Sequence, residues 1–211
     1  MVEMIQAVLW DFGGVVTTSP FEAFARYERE QGLPEGFIRR LNTVNPQDNA
    51  WARLERSELG VDAFCEAFEA EARAAGGELS GHAVLDCLSG QPRPEMVRAL
   101  RQVGTRFRTA CLTNNVRHDT RSPDEAAEIR RIMAMFDVVI ESREVGVRKP
   151  EPEFYRIALE RVGVAPEAAV FLDDLGVNLK PAREMGMHTI KVGTPDQALA
   201  ELGALLGMRL G

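Results

Sequence analysis

Cysteine is scarce in this chain, and Cys65, Cys87 and Cys111 make neither an even disulfide set nor a cluster with metal-ligand spacing. Free thiols of this kind fit a reducing compartment. Basic residues are in deficit, 25 Lys and Arg against 32 Asp and Glu for a formal net charge of −7, and no stripe of basic residues interleaved with aromatics occurs. That excludes the electrostatic footprint of a nucleic-acid binder, so any anionic ligand must be attracted locally. Long apolar runs are missing as well. None approaches the ~20 residues that a helix needs to span a bilayer, and no charged leader followed by an apolar stretch opens the sequence. The expectation is a cytoplasmic protein with no membrane partner. Repeats, linkers and low-complexity tracts are also absent, which leaves 211 residues for one large unit or a unit with a small insertion.

What is present begins with an apolar run, Ala7-Val8-Leu9-Trp10, that closes on Asp11 and continues as Phe12-Gly13-Gly14-Val15-Val16-Thr17. This predicts a buried strand feeding a tight glycine loop. From about residue 18 to 88 the apolar spacing is helical, with Phe21, Phe24, Phe37, Ile38, Leu41, Trp51, Leu54, Phe64 and Phe68 on short amphipathic segments and glycine stops between them. From Pro94 onward helices and strands alternate. Strands are predicted over 109–112, 138–140, 169–172 and 189–192, and helices over 96–103, 129–136, 152–163 and 178–185. Strands separated by helices imply right-handed crossovers and a Rossmann-like parallel α/β sheet with helices on both faces. The predicted domains are a core of 1–17 and 89–211 and an all-helical insertion of 18–88, placed where it can cover the carboxyl edge of the sheet.

Candidate chemistry collects at the predicted strand ends, where open parallel sheets bind their ligands. Asp11 ends the first strand. Asp173-Asp174 ends another, and two adjacent carboxylates there repel each other unless a cation or a basic partner intervenes. One of them is explained as a helix cap; the second is not. Hard oxygen donors from two strand ends suit magnesium, which binds through one or two carboxylates together with substrate phosphate oxygens. Thr113-Asn114 ends a third strand with a hydroxyl and backbone N–H groups suited to phosphate. Lys149, in Arg148-Lys149-Pro150-Glu151-Pro152, is stiffened by two prolines, and its charge offsets the carboxylates.

In this order, Asp11-Phe12-Gly13-Gly14-Val15, Leu112-Thr113-Asn114, Lys149-Pro150 and Phe171-Leu172-Asp173-Asp174 resemble the four motifs of the haloacid dehalogenase-like (HAD) hydrolase superfamily. The run from Phe171 to Arg183, with Gly186-Met187-His188-Thr189-Ile190 after it, is similar to the phosphatase-type N-terminal domain of soluble epoxide hydrolases and to the corresponding domain of acyl-CoA dehydrogenase family proteins. The resemblance implies a magnesium-dependent phosphatase acting on a small phosphorylated metabolite through an aspartyl-phosphate. It makes Asp11 the nucleophile and a metal ligand, Lys149 the charge stabiliser, Thr113 and Asn114 the phosphate holders, and Gly13 a carbonyl ligand of the metal. Asp174 becomes a direct metal ligand and Asp173 one that acts through water. Residues 18–88 resemble the family's cap, with Asn49 or Arg53 as substrate contacts and Trp51 as core.

One position departs from the pattern. Such phosphatases commonly carry an aspartate two residues after the nucleophile as general acid and base, and here that residue is Gly13. General acid–base catalysis contributes about 10²- to 10⁴-fold. Three readings therefore stand: a phosphatase with a substitute such as His118, Asp119 or Glu55, a metal- or phosphate-binding relative with little turnover, and a dehalogenase working through an Asp11 ester. His82 has no motif beside it and reads as structural.

Overall fold

β1 (Ala7–Trp10) is buried at every position, as a central strand covered on both faces must be. It pairs in parallel with β2 (Arg108–Thr113) on one side and β4 (Ala169–Asp173) on the other; β3 (Val138–Glu141) and β5 (His188–Lys191) complete the order β3-β2-β1-β4-β5. The computed structural model describes residues 4–115 and 121–210. Five helices follow β1: α1 (Pro20–Glu30), α2 (Phe37–Thr43), α3 (Ala50–Glu55), α4 (Val61–Ala74) and α5 (Gly81–Asp86). The rest of the chain alternates as predicted, through α6 (Pro94–Val103), α7 (Pro123–Met133), α8 (Ser142–Val145), α9 (Pro152–Val162), α10 (Gly176–Glu184) and α11 (Pro195–Leu206).

Strand alternation divides the core into two layers. Val8, Trp10, Cys111, Val170 and Leu172 face α6 and α11, whereas Leu9, Leu112, Ile140 and Phe171 face α9 and α10. Helices α1–α5 enclose a third cluster of their own. Its centre is Trp51, which meets Phe24, Phe64 and Phe68 edge-on at 6.1, 5.6 and 5.7 Å between ring centroids.

Two helices escape the sequence reading. α11 had legible signals: Thr194 caps it in a reciprocal box with Gln197, Pro195 opens it, and Gly207 ends it at φ 61°. α8 is a single turn, too short for periodicity to register. The helix predicted to reach 136 stops at Met133, though Phe136 still packs into the core. Among the described residues no helix is long and apolar enough to cross a membrane.

Candidate functional site

The parallel register brings the carboxyl ends of β1, β2, β3 and β4 side by side, with Trp10 opposite both Cys111 and Leu172 and Thr113 opposite Glu141. β1 is the strand from which the order departs in both directions, the place where such sheets bind ligands. Asp11 leaves its end almost buried. Its Oδ1 accepts from the Phe12 N–H at 2.6 Å and lies 2.7 Å from Lys149 Nζ. That ammonium also reaches Asp173 Oδ2 at 2.8 Å and sits 5.6 Å over the Phe171 ring.

Asp173 is fully buried and saturated with donors, since Leu175 N–H bonds Oδ1 at 2.8 Å and Asn178 Nδ2 lies 3.1 and 3.0 Å from its two oxygens. Tyr155 in turn donates to the Asn178 carbonyl at 2.7 Å. Asn178 and Tyr155 escaped the sequence reading. The signal for Asn178 was its place one turn into the helix that follows Asp173-Asp174.

Oxygens of Asp11, Asp173 and Asp174 all lie within 4.8 Å of one another. Among the described residues, three carboxylates against the Lys149 ammonium leave an excess of two negative charges when all are ionised, a donor set and a deficit that fit a divalent oxygen-seeking cation. The electrostatics express the same deficit. Burial pushes the Asp174 carboxyl up to about 6, and the charge of Asp173 adds to it. Burial also lifts Asp11 well above the ordinary carboxylate range, with Lys149 opposing and Asp173 reinforcing. Burial works against the Lys149 ammonium, but Asp11 and Asp173 outweigh it and raise its pKa.

The two glycines of the first loop are not equivalent. Gly14 has φ +81°, and a Cβ there would overlap the Asp174 carboxylate, so glycine is required twice over. Gly13 has φ −70° and ψ 126°, and a Cβ there meets no atom within 4 Å. The backbone at Gly13 accommodates a side chain that the sequence does not supply.

Thr113 ends β2 beside this cluster, nearly buried. The Asn114 side chain serves a different purpose from the one expected of a phosphate holder. Its Oδ1 accepts from Lys149 N–H at 2.9 Å, and its Nδ2 donates to the Lys149 carbonyl at 3.0 Å and to Glu55 at 3.1 Å. Asn49 is likewise spent inside the helical block, capping α3 through Ala52 N–H and donating to the carbonyls of Asn42 and Val44. Arg53 pairs with Glu58 at 3.7 Å. Trp51 is core, as expected. His118 and Asp119 lie outside the described residues, and His82 is an exposed side chain 3.9 Å from Asp62.

Residues 5–186 match the haloacid dehalogenase-like hydrolase family. The chain is 34% identical over 211 residues to acyl-CoA dehydrogenase family member 10 of Mus musculus, covering 97% of itself and 19% of that protein. It is 32% identical over 222 residues to bifunctional epoxide hydrolase 2 of Sus scrofa, covering 98% of itself and 40% of the relative. The chain thus spans well under half the length of either. A phosphorylated carbohydrates phosphatase of Thermotoga maritima is 26% identical over 216 residues and matches end to end, with 95% of this chain and 93% of that one covered. In three dimensions, a HAD family enzyme from Bacteroides thetaiotaomicron, crystallised with magnesium and inorganic phosphate, superposes with a TM-score of 0.58 at 17% identity over 89% of this chain and 93% of its own. With a family match across most of the sequence and a five-stranded parallel sheet that gathers the motif residues at one edge, the chain belongs to the haloacid dehalogenase-like hydrolases.

Proposed function

We propose that the chain is a magnesium-dependent phosphatase that hydrolyses a small phosphomonoester through an aspartyl-phosphate on Asp11. The observation that carries this reading is the buried contact of Asp11, Lys149 and Asp173, with Asp174 beside them, at the end of the central strand. The end-to-end similarity to a phosphatase of phosphorylated carbohydrates supports the substrate class. Asp11 Oδ1 is tied to Phe12 and Lys149, whereas Oδ2 accepts no hydrogen bond among the described residues and is the oxygen free to attack phosphorus. As the Asp11–phosphorus bond forms, the bond to the leaving alcohol breaks; water then attacks phosphorus and returns Asp11 and inorganic phosphate.

Lys149 offsets charge on the phosphoryl oxygens, which the Thr113 hydroxyl and the Asn114 backbone N–H hold in place. Asp11, Asp174 and the Gly13 carbonyl would hold magnesium, with Asp173 orienting Lys149 and acting on the metal through water. The ion, when bound, neutralises and aligns the phosphoryl oxygens. Residues 18–88 act as a cap over a core of 1–17 and 89–211. Because Gly13 offers no proton, the preferred substrates are those whose leaving group needs none, such as aryl phosphates and sugar 1-phosphates. Phosphate release from p-nitrophenyl phosphate, measured with magnesium and with chelator, tests the reading. Magnesium-dependent release supports it, and halide release from a 2-haloacid without metal would replace it with dehalogenation.

A further inference from the structure

The Glu55 carboxylate, at the end of α3, is nearly buried; it accepts hydrogen bonds from two parts of the chain and forms an ion pair with a third. Trp51 Nε1, one turn earlier, donates at 2.9 Å; Asn114 Nδ2 at the end of β2 donates at 3.1 Å; Arg148 Nε pairs with it at 2.5 Å. The Glu55 carbonyl also accepts from the Ser142 hydroxyl at 2.7 Å. A side chain rooted in the aromatic centre of the helical block therefore ends among the residues that flank Lys149.

Asn114 transmits this contact. Its amide grips the Lys149 backbone on both sides, accepting from N–H and donating to C=O, and its remaining Nδ2 hydrogen goes to Glu55. A carboxylate can only accept, so Glu55 demands the Nδ2 side of the amide. That leaves Oδ1 for the Lys149 N–H. With the amide reversed, the Lys149 N–H would face an NH₂ group, and the Lys149 carbonyl and the Glu55 carboxylate would each face an oxygen: three repulsive contacts in a part-buried place, to which Glu55 adds one.

We infer that Glu55 is a positioning residue: it fixes the orientation of Asn114, Asn114 fixes the Lys149 backbone, and the seating of the helical block is thereby coupled to the placement of the Lys149 ammonium between Asp11 and Asp173. Glu55 is thus not the substitute proton donor considered from sequence, because its carboxylate is committed to Arg148, Asn114 and Trp51. The kinetic side of the inference rests on the phosphatase reading, in which Lys149 acts on the phosphoryl group.

The test uses the full chain and two measurements. Hydrogen exchange of the 142–151 segment reports the Lys149 amide directly, and p-nitrophenyl phosphate hydrolysis with magnesium reports its function. Glu55→Leu should speed exchange at Lys149 and lower kcat by about 10- to 100-fold, the usual cost of losing a partner that orients a working group, with KM little changed. Added to Asn114→Ala, it should cause no further loss. Glu55→Gln, whose amide oxygen still accepts from Asn114, should lose less than Glu55→Leu in both measurements, and it stands in should Glu55→Leu not fold. Arg56→Gln breaks a different contact between block and core, the 3.3 Å pair with Glu151, and should change neither measurement. Unchanged Lys149 exchange in the Glu55 variants, or losses that add in the double variant, would overturn the inference. If the wild type releases no phosphate at all, the phosphatase reading falls, and exchange at Lys149 still decides on the clamp.

Discussion

Carboxylates withdrawn wholly or partly from solvent serve opposite ends in the two halves of this molecule. In the helical block three of them accept from backbone, while Glu55 meets the side chains of Trp51, Asn114 and Arg148. Glu28 takes the N–H groups of Gly36 at 2.7 Å and Ile38 at 2.9 Å, Glu71 takes Ala50 at 2.8 Å, and Glu69 takes Gly81 at 2.9 Å. Each thereby satisfies donors at or near the start of a helix, where the chain cannot satisfy its own. At the carboxyl edge of the sheet, Asp11, Asp173 and Asp174 lie together instead, and among the described residues Lys149 is the cation paired with them. The first set spends its charge on folding. The second gathers charge at one point, and burial together with the neighbouring Asp173 disfavours the ionised form of Asp174.

This contrast breaks most visibly at Asp11. Asp11→Asn should abolish phosphate release while circular dichroism shows an intact fold, because the variant loses the attacking carboxylate and keeps an isosteric side chain. Turnover at the wild-type rate would remove Asp11 from the chemistry.

The next largest effect is expected at Gly13. Wild type should favour aryl over alkyl phosphates, and Gly13→Asp should raise activity on alkyl phosphates by up to the ~10²- to 10⁴-fold of a positioned acid. The φ of −70° and the open space around a Cβ mean that the variant should fold. Equal rates on both leaving groups, with no gain in a folded Gly13→Asp, would mean that another residue already supplies the proton.

Magnesium sharpens the comparison through stability. A ligand at 100 times its Kd stabilises the folded state by about 2.7 kcal/mol, so the thermal midpoint should rise with magnesium in wild type. Asp174→Ala should lose this rise. Glu141→Ala, altered at a carboxylate that pairs with Arg143 at 2.8 Å and bonds Asn115, should keep it. An equal response in wild type and Asp174→Ala would argue against the cluster as the metal site.

The smallest effect should come from the other half. Glu28→Gln offers one good acceptor where two N–H groups need one, and leaving a buried donor unpaired costs about 1 to 3 kcal/mol. Denaturant unfolding should show that loss, with the magnesium response unchanged. A magnesium response that fell with Glu28→Gln would mean that the two halves do not keep their charges apart.

Asp11, Lys149 and the Asp173-Asp174 pair were legible because each is a local signal, a charge placed where an apolar strand stops or a proline stiffens the chain. The clamp on the Lys149 backbone was not. Glu55 and Asn114 are 59 residues apart, and nothing in either neighbourhood says that they meet. The Asn114 side chain is occupied by Glu55 and the Lys149 backbone, contacts that its neighbours in sequence do not announce. Gly13 and Gly14 look alike in sequence. Only the fold separates them, by bringing Asp174 against one and leaving space beside the other.

By itself the sequence determined the alternation of strands and helices, the parallel sheet and the identity of the charged residues at its edge, since hydrophobic period and chain breaks are properties of neighbours along the chain. Tertiary structure decided which donors each carboxylate meets: Asp173 is saturated, Asp174 accepts from the Ser19 hydroxyl at 3.5 Å, and Glu55 is paired with Arg148. The state of a charge depends on what lies within a few ångströms of it in space, and strand pairing and helix docking set those distances across separations in sequence that no local pattern encodes.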